Sequence, residues 1–182
     1  MKELELAERC RRGDNQARQV LYERYAGRML GICLRYVGDR ALAEDLLHDG
    51  FLQLFCSFNK FRWRGDGSLR AWMERVMVNT VLQYLRRNDV LQQALGSDSL
   101  PELCDEPSTD EIDRLPYDVL MQLIARLPTG YRTVLNLYIF EEKPHKEIAG
   151  LLGINEKSSA SQLARAKALL ASWVHEWLRK NE

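Results

Sequence analysis

Apolar residues recur at helical spacing along most of the chain. Asp14 is placed to cap a helix whose apolar positions Val20, Leu21, Tyr25, Met29, Ile32, Leu34 and Tyr36 run to a stop at Gly38. Asp39 caps a second helix to about Phe58, and Ser68, after the break Gly65-Asp66-Gly67, caps a third to about Asn88. No element is assigned before Asp14. From Leu91 to Leu115 the periodicity lapses and Pro101 and Pro107 intervene, so this stretch reads as a linker with at most a short helix. The helical pattern resumes over residues 118–126, 130–140, 143–152 and 156–180, with no convincing strand and no repeat. The prediction is an all-α protein: two small helical domains, residues 1–88 and 116–182, joined by a flexible linker over 89–115.

Charge sharpens this division. The 182 residues hold 26 Lys+Arg and 26 Asp+Glu, a formal net charge of zero. That total hides a segregation. Residues 1–88 carry a net +5, residues 114–182 a net +3, and residues 89–113 hold eight acids and no Lys or Arg. Two basic modules on an acidic strap suit nucleic acid where a uniformly neutral chain would not.

Enzyme chemistry finds no support. The histidines His48, His145 and His175 are scattered, and Cys10, Cys33, Cys56 and Cys104 form no C-x-x-C pair, so reduced thiols are expected and neither a metal nor a cofactor is. No phosphate-binding glycine motif occurs. No apolar run is long enough for a membrane helix, and residues 1–13 are too charged for a secretory signal, so a cytoplasmic protein without membrane insertion is expected.

Three places carry candidate chemistry. In Lys146-Glu147-Ile148-Ala149-Gly150-Leu151-Leu152-Gly153-Ile154-Asn155, Ala149 allows a close helix crossing, Gly153 a sharp turn, and Asn155 a cap for the next helix. On that next helix, Ser158, Ser161, Gln162 and Arg165 fall on one polar arc suited to base edges and phosphates, with Ser159, Leu163, Ala166, Leu170, Val174 and Trp177 opposite. An ordinary helical hairpin with a solvated face would show the same periodicity.

The second place is Phe61-Arg62-Trp63-Arg64-Gly65-Asp66-Gly67, followed by a stripe of Trp72, Arg75, Asn79 and Arg86. Aromatics interleaved with cations suit stacking on unpaired bases and neutralising a backbone. The alternative is that Phe61, Trp63 and Trp72 are core and the arginines their solvated rim. The third is the helix from Asp39, where Ala43, Leu46, Leu47, Phe51, Leu54 and Phe58 form a core arc and Asp45, Asp49 and Gln53, with Leu52 and Cys56 beside them, form an outer one. An acidic face with an apolar centre suits a basic protein partner and would repel DNA; a plain solvated face is the alternative.

Taken in order, these residues resemble the extracytoplasmic-function (group 4) sigma factors of bacterial RNA polymerase. Region 2 is similar to Gly13-Asp14, Leu21-Tyr22, Tyr25, the run Ala43 to Phe51, Phe61 to Ser68, Ala71-Trp72, Asn79 and Tyr84-Leu85-Arg86-Arg87. Region 4 is similar to Leu127-Pro128, Arg132, Leu135, Leu137, Glu147-Ile148-Ala149, Leu152 to Asn155, Ser161-Gln162-Leu163 and Arg165-Ala166. The serine-rich helix start with Gln162-Leu163 looks most like the Bacteroidetes branch.

The resemblance implies a specificity subunit without catalytic residues. Asp45, His48, Asp49, Leu52 and Gln53 would dock on the clamp helices of the polymerase's largest subunit, and the flap of the second largest would be a further contact. Phe61, Arg62, Trp63, Arg64, Ser68, Trp72, Arg75, Asn79, Arg86 and Arg87 would take the minus-10 element. Lys146, Asn155, Lys157, Ser158, Ser161, Gln162 and Arg165 would read the minus-35 element. The linker would thread the polymerase, its acids mimicking nucleic acid or shielding the basic domains, and an anti-sigma factor would restrain the protein. The sequence departs from the commoner pattern at His48-Asp49, which replaces Gln-Glu, at Gln162, which replaces a frequent Arg, and at Ser159, which replaces an apolar residue and is expected to pin the recognition helix less tightly. The rival functions are a stand-alone helix-turn-helix regulator, which leaves the acidic face and aromatic loop without a role, and a sigma-like decoy for an anti-sigma factor.

Overall fold

The computed structural model describes residues 2–87 and 107–181 and divides into two compact units, Met1–Tyr84 and Leu85–Glu182. Every regular element among the described residues is helical.

The first unit begins with a helix not expected from the sequence, α1 (Glu3–Arg11). Its Leu6, Ala7 and Cys10 are buried, its acids Glu3 and Glu5 lie in the first turn and its cations Arg9 and Arg11 in the last, an order that suits the helix dipole. Helix α2 (Asn15–Val37) starts where expected: Asp14 Oδ1 accepts the Ala17 N–H at 3.1 Å, and Gly38 closes the other end by donating its N–H to Leu34 O. Asp39 likewise caps α3 (Arg40–Ser57), accepting from Leu42 N at 2.8 Å, and a 3₁₀ turn, Phe58–Lys60, follows. Ser68 does not cap α4 (Ser68–Arg87) as the sequence suggests. It is the first helical residue, and its Oγ accepts the N–H of Arg64, so the hydroxyl ties down the preceding loop instead.

The core of this unit lies between α2, α3 and α4. Leu21, Met29 and Cys33 of α2, Leu46, Phe51 and Leu54 of α3, and Leu69, Met73 and Met77 of α4 are all nearly or wholly withdrawn from water. Each such side chain contributes about 1.5–3 kcal/mol of transfer free energy. Where α3 meets α4, a Cβ at Gly50 would overlap the thioether of Met77, whose side chain would have to move. Burial pushes the Cys10 thiol up to about 11 and the Cys33 thiol up to about 12, which keeps both protonated and unreactive at neutral pH.

The Asp14 cap gives the unit an acid-sensitive joint. Its carboxyl is held below the ordinary carboxylate range by the Ala17 N–H, then by Arg9, whose guanidinium lies 2.7 Å away. A carboxyl whose folded pKa is depressed adds stability above its unfolded value, about 4, and loses it as pH falls through the folded one. Asp14→Ala is therefore expected to lower Tm at neutral pH, with the gap from the unaltered protein closing as the solution is acidified below about pH 4. A gap that stayed constant with pH would show that the carboxylate is not its source.

The first helix that belongs wholly to the second unit lies inside the expected linker. Ser108 and Glu111 form a reciprocal capping box for a short helix, α5 (Thr109–Asp113). The Ser108 N–H and hydroxyl hold the Glu111 carboxyl below its usual range, and Glu111 Oε1 lies 3.7 Å from His175 Nε2. Leu115 packs in a core cluster with Leu123, Val174 and Leu178, and Val119, Leu170, Trp173 and Trp177 pack against it. Residues 107–115 are thus part of the packed unit, because Leu115 buries its side chain there; residues 89–106, with the acids Asp89, Asp98, Glu102, Asp105 and Glu106, lie outside the described residues.

Helix α6 (Tyr117–Arg126) leads into α7 (Thr129–Leu135), which widens into a π turn over Asn136–Phe140. Helices α8 (His145–Leu152) and α9 (Glu156–Asn181) complete the unit. Arg132 of α7 is buried at 6% exposure, and its guanidinium donates to the carbonyls of Ala125 and Leu127 and to Thr129 Oγ1. It thereby satisfies backbone acceptors that α6 leaves open at its C-terminus. Burial lowers its pKa, yet an arginine remains charged.

Candidate nucleic-acid interface

The α3 face is as polar as its periodicity implies. Asp45, His48, Asp49, Leu52 and Gln53 are exposed, Leu52 at 63%, while Ala43, Leu46, Leu47, Phe51 and Leu54 are buried on the opposite side. Gln53 is partly engaged, its Oε1 accepting from Thr80 Oγ1 at 3.1 Å.

The loop after α3 divides its aromatics from its cations. Phe61 is 2% exposed and packs on Phe58 and Trp72, with ring centroids 6.5 and 5.2 Å away. It is therefore mostly a core residue, as the alternative reading of the loop has it, and its remaining surface helps to line a cavity beside Trp72. Trp63 is half-buried, whereas Arg62 and Arg64 are exposed. Gly67 has φ +83°, a left-handed conformation that lets the loop turn into α4. Along α4, Trp72 is half-buried, and Arg75, Asn79, Arg86 and Arg87 are exposed.

Trp72 forms a wall between two cavities. The first, about 250 Å³, is lined by Phe61, Trp72 and Ser68 and by Lys60, Arg62, Arg64 and Arg75, four cations with no acid among them. A cavity of about 150 Å³ takes a benzene ring, so a planar base is well within its capacity. The second, about 420 Å³, lies over Gln53, Cys56, Ser57, Lys60, Trp72, Val76 and Asn79. Lys60 lines both and is absent from the residues singled out by sequence; its place next to Phe61-Arg62 was the available signal.

In the second unit, α8 and α9 form a helix-turn-helix. Gly153 sits at φ +68° between them, and Asn155 Oδ1 caps α9 by accepting the Ser158 N–H at 2.7 Å. An open groove of about 840 Å³ runs beside His145, Asn155, Lys157, Ser158 and Ser161 at the start of α9. Lys146, Asn155, Lys157 and Ser161 are exposed and Ser158 half-buried.

Gln162 departs from the expected arc, being only 5% exposed. At 100° per residue it stands 40° from the fully buried Ala166, so it belongs to the rim of the packed face. Arg165 is half-buried and donates to Tyr131 Oη at 3.3 Å. Ser159 is fully buried but not a loose joint: its Oγ is hydrogen-bonded to His145 Nδ1 at 2.9 Å, and Tyr138 stacks on that imidazole at 4.8 Å. A polar contact across the two helices thus takes the place of an apolar one. Among the described residues, no three His, Cys, Asp or Glu side chains converge as metal ligands would.

Comparison with known proteins gives the family. Residues 21–90 match the family model of Sigma-70 region 2, and residues 117–170 match that of Sigma-70, region 4. The RNA polymerase sigma-H factor of Pseudomonas aeruginosa is 28% identical, the alignment covering 97% of this chain and 95% of the relative. The ECF RNA polymerase sigma-E factor of Haemophilus influenzae is 27% identical over 93% of each chain. Among solved structures, the sigma factor RpoE, crystallised with the anti-sigma factor NepR from Bartonella quintana, is 16% identical with a TM-score of 0.48, covering 84% of this chain and 92% of that one. The chain belongs to the sigma-70 family of RNA polymerase sigma factors, as an ECF sigma factor. It is an alternative sigma factor that directs transcription initiation, a specificity factor of the polymerase. No helix among the described residues is long and apolar enough to cross a membrane.

Proposed function

We propose that the two faces of the first unit divide the work of initiation. The α3 face of Asp45, His48, Asp49, Leu52 and Gln53 docks on the clamp helices of the largest polymerase subunit, and the cationic cavity beside Trp72 holds an unstacked base of the minus-10 non-template strand. Arg62, Arg64, Arg75, Arg86 and Arg87 neutralise the strand's backbone, and Asn79 hydrogen-bonds to the strand. The start of α9, with Lys157, Ser158, Ser161 and Arg165, reads the minus-35 element in the major groove, helped by Lys146 of α8, while region 4 also meets the flap of the second largest subunit. The observation that carries this is the segregation of charge: acids and an exposed leucine on α3, four cations around an aromatic wall. Opposite signs keep the protein-binding and DNA-binding faces from exchanging partners.

A cytoplasmic location, membership of the Bacteroidetes branch and restraint by an anti-sigma factor complete the proposal, supported by the family and by the serine-rich start of α9. The charge reversal Asp45→Lys with Asp49→Lys is expected to weaken core-polymerase binding about ten- to a hundredfold. Its Tm should be nearly unchanged, because both carboxylates are exposed. Unaltered core affinity, measured by fluorescence anisotropy of the labelled protein, would remove α3 from the docking surface.

A further inference from the structure

The loop over residues 61–67 is held at both ends by one helix. Near its start, Arg11 of α1 donates an Nη2 hydrogen bond to the Phe61 carbonyl at 2.9 Å. At its end, Glu3 of the same helix accepts the Gly67 N–H through Oε2 at 2.7 Å. The other carboxylate oxygen of Glu3 accepts from Tyr25 Oη of α2, also at 2.7 Å, so the acid that grips the loop is itself fixed from behind. Leu6, Ala7 and Cys10 anchor α1 in the core, on the side opposed to solvent. These contacts use α1, a helix that precedes the matched region 2 and for which neither the sequence reading nor the comparisons give any role.

We propose that α1 is a clasp, with Glu3 and Arg11 as positioning residues that hold the 61–67 loop in its DNA-capturing form before DNA arrives. This rests on the assignment of that loop to the minus-10 strand. Ordering a residue costs about 1–2 kcal/mol of backbone entropy, and a loop with two glycines in left-handed conformations is costly to order. A loop already fixed by the fold does not charge that cost to the DNA complex. The two ends are not equally dependent on α1. Phe61 O also accepts from Arg62 Nη1 at 3.3 Å, whereas Glu3 is the acceptor for the Gly67 N–H, so loss of Glu3 should matter more.

The test uses holoenzyme assembled from the full chain and core polymerase. The probe is a fluorescent single strand bearing the minus-10 sequence enriched from a random pool by the unaltered holoenzyme. Glu3→Ala is expected to weaken its capture about tenfold and Arg11→Ala about threefold, with Arg11→Lys restoring most of the loss. Core affinity should stay within experimental scatter of the unaltered protein, and Tm should fall by no more than about 4–8 °C, the cost of the lost hydrogen bonds while Leu6, Ala7 and Cys10 stay packed. In the free protein, Glu3→Ala should speed exchange of the Gly67 amide by about tenfold or more, a change that a general packing role for α1 would not confine to the loop.

Arg64→Ala separates the two levels of the claim. If Arg64→Ala weakens capture and the Glu3 and Arg11 variants do not, the clasp is overturned while the DNA assignment stands. If none of the three weakens capture, the DNA assignment fails and takes the clasp with it. A loss of capture accompanied by equal losses of core affinity and thermal stability marks damage to the whole unit and also overturns the clasp.

Discussion

Phe61→Ala is expected to destabilise the first unit by about 3–5 kcal/mol, because a nearly buried ring is exchanged for a cavity the neighbours cannot fill. Phe58 and Trp72 touch that ring from two sides, and both belong to the same aromatic cluster. The consequence reaches function through structure: once the ring is gone, Trp72 loses its backing and the cationic cavity loses a wall. Phe61→Leu distinguishes this from a direct role in stacking. It should recover most of the stability, at a residual cost below about 1.5 kcal/mol, and should recover DNA capture in step. A leucine variant that is stable yet fails to capture DNA would return Phe61 to the set of base-contacting residues.

Arg132→Met is the second large effect, expected at about 2–5 kcal/mol in the other unit. Methionine fills similar space but leaves the carbonyls of Ala125 and Leu127 without the donor that now serves both. The loss should appear as unfolding of the C-terminal unit, with the N-terminal unit's transition unmoved. Arg132→Lys should recover only part of it, since one ammonium does not reproduce the planar fork that reaches two carbonyls and Thr129 Oγ1 together. Equal stability for the methionine variant would mean that water replaces the guanidinium at the end of α6.

These two residues mark where sequence reasoning ran short. Helix starts that depend on one side chain, Asp14, Asp39 and Asn155, were legible, because a cap is a local contact between a side chain and an amide three residues on. Ser68 has the same chemistry but spends its hydroxyl on the loop behind it. Helix α1 escaped because its apolar stripe is only Leu6, Ala7 and Cys10 in a strongly charged stretch, and its stability comes from packing and from the Arg11 and Glu3 contacts to residues 50 and 64 positions away.

The aromatic-cation loop was legible as a place, not as an assignment of roles. In an extended segment alternate side chains point the same way, and Phe61 and Trp63 turn inward while Arg62 and Arg64 turn out. On α9 the wheel separated Ser161 from Leu163 correctly, but Gln162 lies near the edge, and the width of the packed face decides its exposure. The compensation at Ser159 needed His145, fourteen residues away on another helix, which no local pattern joins to it.

This chain works as a polymerase subunit and not as a free regulator of duplex DNA. Reconstitution with core RNA polymerase tests it most directly, reading stable complex formation and specific transcription from the promoter upstream of its own gene. The expected result is a complex that elutes with core and starts transcription there, with weak duplex binding by the isolated protein. Failure to bind core, together with tight, specific binding of the isolated protein to duplex, would contradict it.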